Sequence, residues 1–143
     1  MAISAIGLAR YAREYFDAAK AADNVIGIRS SYEIIAPPPV MFLTAHSIEL
    51  ALKAYLFFSG KTNIKSFGHD LICLWTVCQQ HKINTLITLS TEELATLKLI
   101  SELHTSTELR YINTGFKTFP TFGALEKIAE KILNAICPHV GFK

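Results

Sequence analysis

One apolar stretch, from Val40 to Ser59, constrains the fold of this chain more than any other feature. It is interrupted by three ionisable residues, His46, Glu49 and Lys53. On a helix, at about 100° per residue, these three lie near 0°, −60° and −20°, so they share one narrow stripe. Charges on so apolar a helix are costly to bury unless they form ion pairs or take part in a functional site. The stripe is therefore the best indication of a functional site.

The composition indicates one domain over residues 1–143 with an unusually apolar surface. Half of the residues are hydrophobic and only 18% are charged, which is less charge than the surface of a lone monomer usually carries. A homodimer that buries an apolar face explains this; the alternative is a monomer with a well-filled core. The net charge of +2 is too small to indicate a strongly basic nucleic-acid binder, although local basic patches are compatible with it.

The cysteines indicate a reducing, cytoplasmic setting. Cys73, Cys78 and Cys137 form no CxxC pair, so we expect neither disulfides nor a zinc site. Cys73 and Cys78 do not share a helix face, and we expect each to pack in the core. The first helix carries both acidic and basic residues, unlike a signal peptide. Because the stretch from Val40 to Ser59 is interrupted by charges, we expect a core helix and no membrane partner.

Hydrophobic periodicity predicts five helices, no strand and no internal repeat. Pro37–Pro39 can start the second helix, and Gly60 can cap its end. Ser90 and Glu93 form a capping box at the start of the fourth helix, which can continue to Tyr111. Residues 24–36 form a loop or a short helical fragment. The predicted helices are about 2–22, 39–59, 69–82, 90–111 and 121–137, with further connections at 61–68 and 113–120. We expect an all-α, antiparallel four-to-five-helix up-and-down bundle.

The apolar positions of four of these helices predict what they bury. The predicted core positions are Leu8, Tyr11, Tyr15, Ala18 and Ala19 in the first helix; Leu71, Leu74, Trp75 and Cys78 in the third; Leu94, Leu97, Ile100 and Leu103 in the fourth; and Phe122, Leu125, Ile128, Ala129, Ile132, Leu133 and Ile136 in the fifth.

Three groups of polar residues are candidates for a site, each with a structural alternative. Glu49 and Lys53 form either a solvated i,i+4 pair worth roughly 0.2–0.5 kcal/mol or, with His46, a polar strip that faces a cleft or a dimer seam.

The other two candidate groups lie at helix ends. Asp70 suits the N-cap of the third helix, whereas His69 suits proton transfer or a hydrogen bond to another helix. Arg110, next to Tyr111, either complements the helix dipole or binds a phosphate bidentately.

Several common catalytic signatures are absent from the sequence. It contains no glycine-rich phosphate loop, no HExxH, no GxSxG and no carboxylate cluster at metal-ligand spacing. We therefore predict neither a cofactor nor a bound metal.

The order of these segments resembles a known superfamily. An apolar helix, Ala45 to Leu56, is followed by Gly60, by the run from Gly68 to Leu71, by the run from Glu108 to Tyr111, and by a closing helix. This pattern is similar to the HEPN superfamily (higher eukaryotes and prokaryotes nucleotide-binding domain) over roughly residues 2–137.

The resemblance implies an antiparallel helical bundle that commonly dimerises. Many members are metal-independent ribonucleases with an arginine followed, after four to six residues, by a histidine near the dimer seam. Others bind nucleotides or partners without cleavage, and many occur with an antitoxin or a nucleotidyltransferase. Here Arg110 fits the arginine, but the corresponding positions hold Gly115, Phe116 and Lys117. The usual histidine is therefore missing.

Three functions remain open from the sequence. The first is a homodimer that binds the phosphate of a nucleotide or RNA without cleaving it, with Arg110 on the phosphate, Tyr111 stacking, and His46, Glu49, Lys53, His69 and Asp70 around the site. The second is a toxin-type ribonuclease with His69 as general acid or base and Arg110 stabilising the phosphorane. The third is a structural or adaptor bundle in which Glu49–Lys53 and Asp70–Arg110 are packing salt bridges.

Overall fold

The computed structural model describes residues 2–27, 35–106, 109–111 and 118–143. Within these residues the chain is all-helical and contains no strand. The α-helices are α1 (Ala5–Ala22), α2 (Pro38–Phe58), α3 (Leu71–Gln80), α4 (Thr91–Thr105) and α5 (Phe122–His139). A π-helical turn, Asp23–Gly27, follows α1, and short 3₁₀ helices at Ile64–Phe67 and Ile83–Thr85 flank α3.

Helix α2 is the centre of the bundle and packs against each of the other four α-helices. Its sequence is apolar nearly all round apart from the stripe of His46, Glu49 and Lys53, which suits a helix enclosed on most sides. This is the one helix of the described residues that is long and apolar enough to cross a membrane, and 72% of the relevant window is buried inside the bundle. Its burial agrees with the expected core helix.

The ends of the helices follow the predicted capping chemistry. Gly60, at φ +98°, ends α2; its N–H donates to the Phe57 carbonyl at 3.1 Å, and the Lys61 N–H donates to the Leu56 carbonyl at 2.9 Å. This pair of bonds is a Schellman motif, for which glycine suits the left-handed position. At the start of α4, the Ser90 side chain accepts from the Glu93 N–H and the Glu93 carboxylate accepts from the Ser90 N–H.

Several predicted boundaries are wrong. Helix α3 spans Leu71–Gln80 rather than 69–82, because Asp70 is its N-cap and His81 its C-cap. Helix α1 begins at Ala5 rather than Ala2, because Ser4 acts as its N-cap and accepts from the Gly7 N–H at 3.0 Å. Helix α4 ends at Thr105 and does not run on to Tyr111; residues 109–111 form a turn. The predicted connections at 24–36 and 113–120 lie partly outside the described residues.

The predicted buried faces of α3 and α5 are confirmed, and that of α4 is confirmed apart from Leu94, which is half-buried. In α1 the prediction is partly wrong: Tyr11 and Ala18 are exposed, while Ala9 and Ala12 are fully buried. The small alanine side chains let α1 approach α2 closely, so the contact face follows the alanines. The expectation that Cys73 packs in the core is also wrong. Of the two cysteines of α3, Cys78 lies on the buried face and Cys73 is exposed.

Candidate polar site

Glu49 on α2 is the centre of the polar site. Its side chain is almost fully buried, at 3% exposure. Oε1 lies 2.8 Å from Nε2 of His104 and 3.0 Å from Nδ1 of His69, and Oε2 accepts from the Lys53 ammonium at 3.0 Å. The predicted Glu49–Lys53 pair therefore exists, but it is a buried pair and not a solvated one.

The hydrogen bonds keep Glu49 ionised in spite of its burial. Burial alone raises the pKa of a carboxyl group, and it is the largest single influence here. The bonds from His104, Lys53 and His69, together with the charge of Lys53, outweigh it and lower the pKa of Glu49 to about 2. Glu49 is thus a carboxylate at neutral pH, and its oxygens can only accept hydrogen bonds.

The state of Glu49 decides which nitrogens of the two bonded imidazoles carry protons. Because both bonds end on an acceptor, Nδ1 of His69 and Nε2 of His104 must each carry a hydrogen. In the neutral rings, Nε2 of His69 and Nδ1 of His104 then hold lone pairs. The His69 side chain is 59% exposed, whereas that of His104 is 1% exposed and its Nδ1 has no hydrogen-bond partner among the described residues.

Local structure accounts for the position of His69. The 3₁₀ helix Ile64–Phe67 ends at Gly68, whose φ of +67° lies in the left-handed region that favours glycine. The chain turns there before α3 begins, and His69 reaches the carboxylate of Glu49 on α2.

His46 lies at the edge of the same cluster, one helical turn before Glu49. Its half-buried ring contacts Tyr15 edge-on at 4.6 Å and stacks on Phe42 at 6.0 Å between ring centroids. Burial lowers the pKa of His46, and the nearby Glu49 carboxylate opposes this effect. The ring centroid of His104 is 6.4 Å away.

Arg110 is brought to this site by an aromatic contact. Its neighbour Leu109 is buried, and the exposed guanidinium of Arg110 lies 5.3 Å from the centroid of the Phe42 ring. Phe42 contacts both His46 and His104, so Arg110 continues the cluster outwards. Within the described residues it forms no ion pair, and the predicted Asp70–Arg110 salt bridge is absent. Tyr111 is 68% exposed.

Asp70 belongs to the helix cap and not to the cluster. Its Oδ1 accepts from the backbone N–H groups of Ile72 and Cys73, each at 3.0 Å, and from the Ser101 hydroxyl at 3.1 Å. The backbone bond from Cys73 leads the effects that lower the pKa of Asp70. The capping interpretation of Asp70 therefore accounts for its contacts.

His104 is the residue of the cluster that the sequence patterns did not single out. It lies four residues after Ile100, on the apolar stripe of α4, and this spacing places it on the buried face. A histidine on that stripe requires a polar partner inside the bundle, so its position in the sequence already indicates a buried polar contact. Its partner, Glu49, is 55 residues earlier in the chain, and no local pattern connects the two.

The fold and the cluster define a small all-α domain whose central helix carries a buried, multiply hydrogen-bonded carboxylate. The family model of the HEPN domain matches residues 8–139 of the chain. The chain therefore belongs to the HEPN domain family, and the predicted all-α helical bundle is confirmed. At the family level this is a nucleotide- or RNA-related helical domain. No significant match was found among curated proteins or among solved structures.

Proposed function

We propose that this HEPN domain binds the phosphate of a nucleotide or an RNA chain at the surface formed by Phe42, His46, His69, Arg110 and Tyr111, without cleaving it. This set is called the Arg110 surface below. The proposal is carried by one observation: the guanidinium of Arg110 is exposed, rests on an aromatic ring and has no carboxylate partner in the described parts of the chain.

The contact with Phe42 prepares Arg110 for an anion. A guanidinium that packs on a ring face keeps its N–H groups at its edges, where they match two oxygens of a phosphate. The ring also limits the rotation of a long side chain, so less conformational entropy is lost on binding.

The buried carboxylate does not cancel this positive charge. Glu49 is paired with the ammonium of Lys53, and both of its oxygens accept hydrogen bonds. The net charge of the Glu49–Lys53 pair is therefore zero, and Arg110 remains as a local cation. The exposed ring of Tyr111 offers a stacking face for a base.

The sequence after Arg110 supports binding without cleavage. Cleavage of RNA needs a proton-transfer group within reach of the 2′-hydroxyl or of the leaving oxygen. Positions 115–117, where the family pattern places a histidine, hold Gly115, Phe116 and Lys117.

A second candidate function, ribonuclease activity, is favoured by the Glu49–His69 pair. The carboxylate orients an exposed imidazole and fixes its proton on Nδ1, which leaves the lone pair of Nε2 for a proton. In this candidate His69 is the general base or acid and Arg110 stabilises the charge on the phosphorane.

Titration of AMP, ATP and a short single-stranded RNA, by calorimetry and by fluorescence anisotropy, tests the binding proposal. Arg110→Ala is expected to weaken phosphate binding about 10- to 100-fold, as loss of a charge-assisted hydrogen bond does. Arg10→Ala is the matched control, since Arg10 is also an exposed arginine but is paired with Glu14 at 2.8 Å. Equal binding by the Arg110→Ala variant contradicts the site, and no binding of any probe favours the structural or adaptor function.

End-labelled RNA incubated in EDTA separates the two candidates. The binding proposal expects intact RNA from the wild type. RNA cleavage by the wild type that is lost in both His69→Ala and Arg110→Ala contradicts the binding proposal and supports the ribonuclease.

The homodimer belongs to the same proposal. Near the start of α1, Ile3, Ile6 and Tyr11 are 47%, 50% and 57% exposed, which is the kind of apolar surface that a second subunit covers. Analytical ultracentrifugation of the wild type and of an Ile6→Lys variant measures the oligomeric state, and a wild-type monomer at high concentration contradicts the dimer. An antitoxin or nucleotidyltransferase partner and a cytoplasmic location stay predictions.

A further inference from the structure

We propose that His46, Glu49 and His104 form a binding site for a divalent transition metal, with Zn²⁺ as the preferred ion. This proposal shares His46 with the Arg110 surface, but it rests on the buried residues Glu49 and His104 and needs no nucleotide or RNA.

The geometry supports a shared ion. One donor atom from each of the three residues can be chosen so that all lie within 4.8 Å of one another. A tetrahedral zinc ion with bonds of about 2.0–2.1 Å to nitrogen or oxygen places neighbouring donors about 3.3 Å apart. The bonded atoms of His104 and Glu49 are 2.8 Å apart, so an ion between them requires this pair to open by about 0.5 Å and the donors to gather at about 3.3 Å from one another.

The contact between His104 and Glu49 fixes where the ion lies. The His104 ring is almost fully buried, and its Nε2 faces Oε1 of Glu49 at 2.8 Å. An ion bound by both residues takes the place of the hydrogen between these two atoms, and the proton of Nε2 is released to solvent.

The donor set indicates the class of metal. Two imidazoles and one carboxylate are ligands that suit Zn²⁺, Co²⁺ and Ni²⁺, whereas Mg²⁺ and Ca²⁺ prefer oxygen alone. His69 already contacts Oε1 of Glu49, and its ring centroid lies 6.2 Å from that of His104. It can therefore supply the fourth ligand, or a water molecule can. Lys53 stays on Oε2 of Glu49 and moderates the affinity.

Sequence patterns do not reveal this site. His46 and Glu49 are three residues apart on α2, so they share a face, but the third ligand comes from α4. The prediction of no metal depended on cysteine pairs and local ligand spacing, and neither tests a site assembled between two helices.

Co²⁺ titration of chelator-treated protein, followed by visible absorption, tests the proposal directly. We expect one Co²⁺ per chain, with absorption bands typical of nitrogen and oxygen ligands in a four- or five-coordinate site, and displacement of Co²⁺ by Zn²⁺ but not by Mg²⁺. His46→Phe keeps a ring against Tyr15 and Phe42 but removes a ligand, and it is expected to weaken binding at least tenfold. His139→Phe is the matched control, because His139 also packs between two aromatic rings, Tyr55 and Phe58.

The result is decisive in either direction. If His46→Phe is misfolded by circular dichroism, His46→Gln takes its place. Equal Co²⁺ affinity of the His46 and His139 variants overturns the site, as does the absence of binding to the wild type. An intense near-ultraviolet charge-transfer band overturns it too, because it reports a thiolate ligand such as the exposed Cys73. Zinc binding without RNA binding leaves the metal site standing and contradicts only the proposed function.

Discussion

Replacement of Glu49 by Gln tests whether the buried carboxylate holds the cluster together. Glutamine has nearly the same shape, so the variant removes the charge with little change in packing. It leaves the Lys53 ammonium, whose side chain is only 9% exposed, without its counter-charge. It also weakens the acceptor for His69 and His104.

The magnitude follows from the pKa of Glu49. The value falls from 4.5 to about 2 in the folded chain, and each unit corresponds to about 1.36 kcal/mol. The carboxylate therefore contributes about 3 kcal/mol to the free energy of unfolding, which agrees with the roughly 3–5 kcal/mol lost when one partner of a buried ion pair is removed. This is a large part of the roughly 5–15 kcal/mol that stabilises a typical domain.

The pH dependence has a definite sign. A depressed carboxyl pKa stabilises the fold above the unfolded-state value near 4.5, and the contribution is lost as the pH falls toward about 2. The difference in stability between wild type and Glu49→Gln is expected to be about 3 kcal/mol at pH 7 and roughly half of that at pH 3.

Urea unfolding, followed by far-ultraviolet circular dichroism at pH 7, 4 and 3, measures this difference. Glu14→Gln is the matched control: Glu14 pairs with Arg10 at i,i+4 and 2.8 Å, but its side chain is 56% exposed. Its loss is expected to stay within about 0.5 kcal/mol. A loss below about 1 kcal/mol for Glu49→Gln, or a loss that does not change with pH, refutes the reasoning.

Two further predictions concern helix caps. Asp70→Ala is expected to cost about 1–2 kcal/mol at pH 7, whereas Asp70→Asn, which keeps an acceptor, costs much less. The cost of Asp70→Ala relative to the wild type shrinks as the pH falls through the lowered pKa of Asp70, and urea unfolding at pH 7 and 3 measures it. Ser90→Ala breaks the capping box of α4 and is expected to cost about 1 kcal/mol, seen as a lower urea midpoint with an unchanged slope. Equal unfolding of wild type and Ser90→Ala argues against that cap.

Local patterns in the sequence were enough for most of the helices. The capping box at Ser90, the glycine that ends α2 and the apolar stripe of α5 are each determined within a few residues, because they follow from backbone hydrogen bonds and a period of 3.6 residues. The face of α1 was harder to predict. Alanines carry little hydrophobic signal, and their burial reflects how closely α1 packs against α2.

The sequence by itself determined that His46, Glu49 and Lys53 share one stripe on an apolar helix, because their angles on the helix depend only on spacing. It did not determine whether that stripe was solvated. The tertiary structure buries Glu49 and joins it to His104, which lies on a different helix. It also brings the Ser101 hydroxyl to Asp70 and places Arg110 on Phe42. These contacts depend on how the helices and loops pack against one another, and spacing along the chain carries no information about that packing.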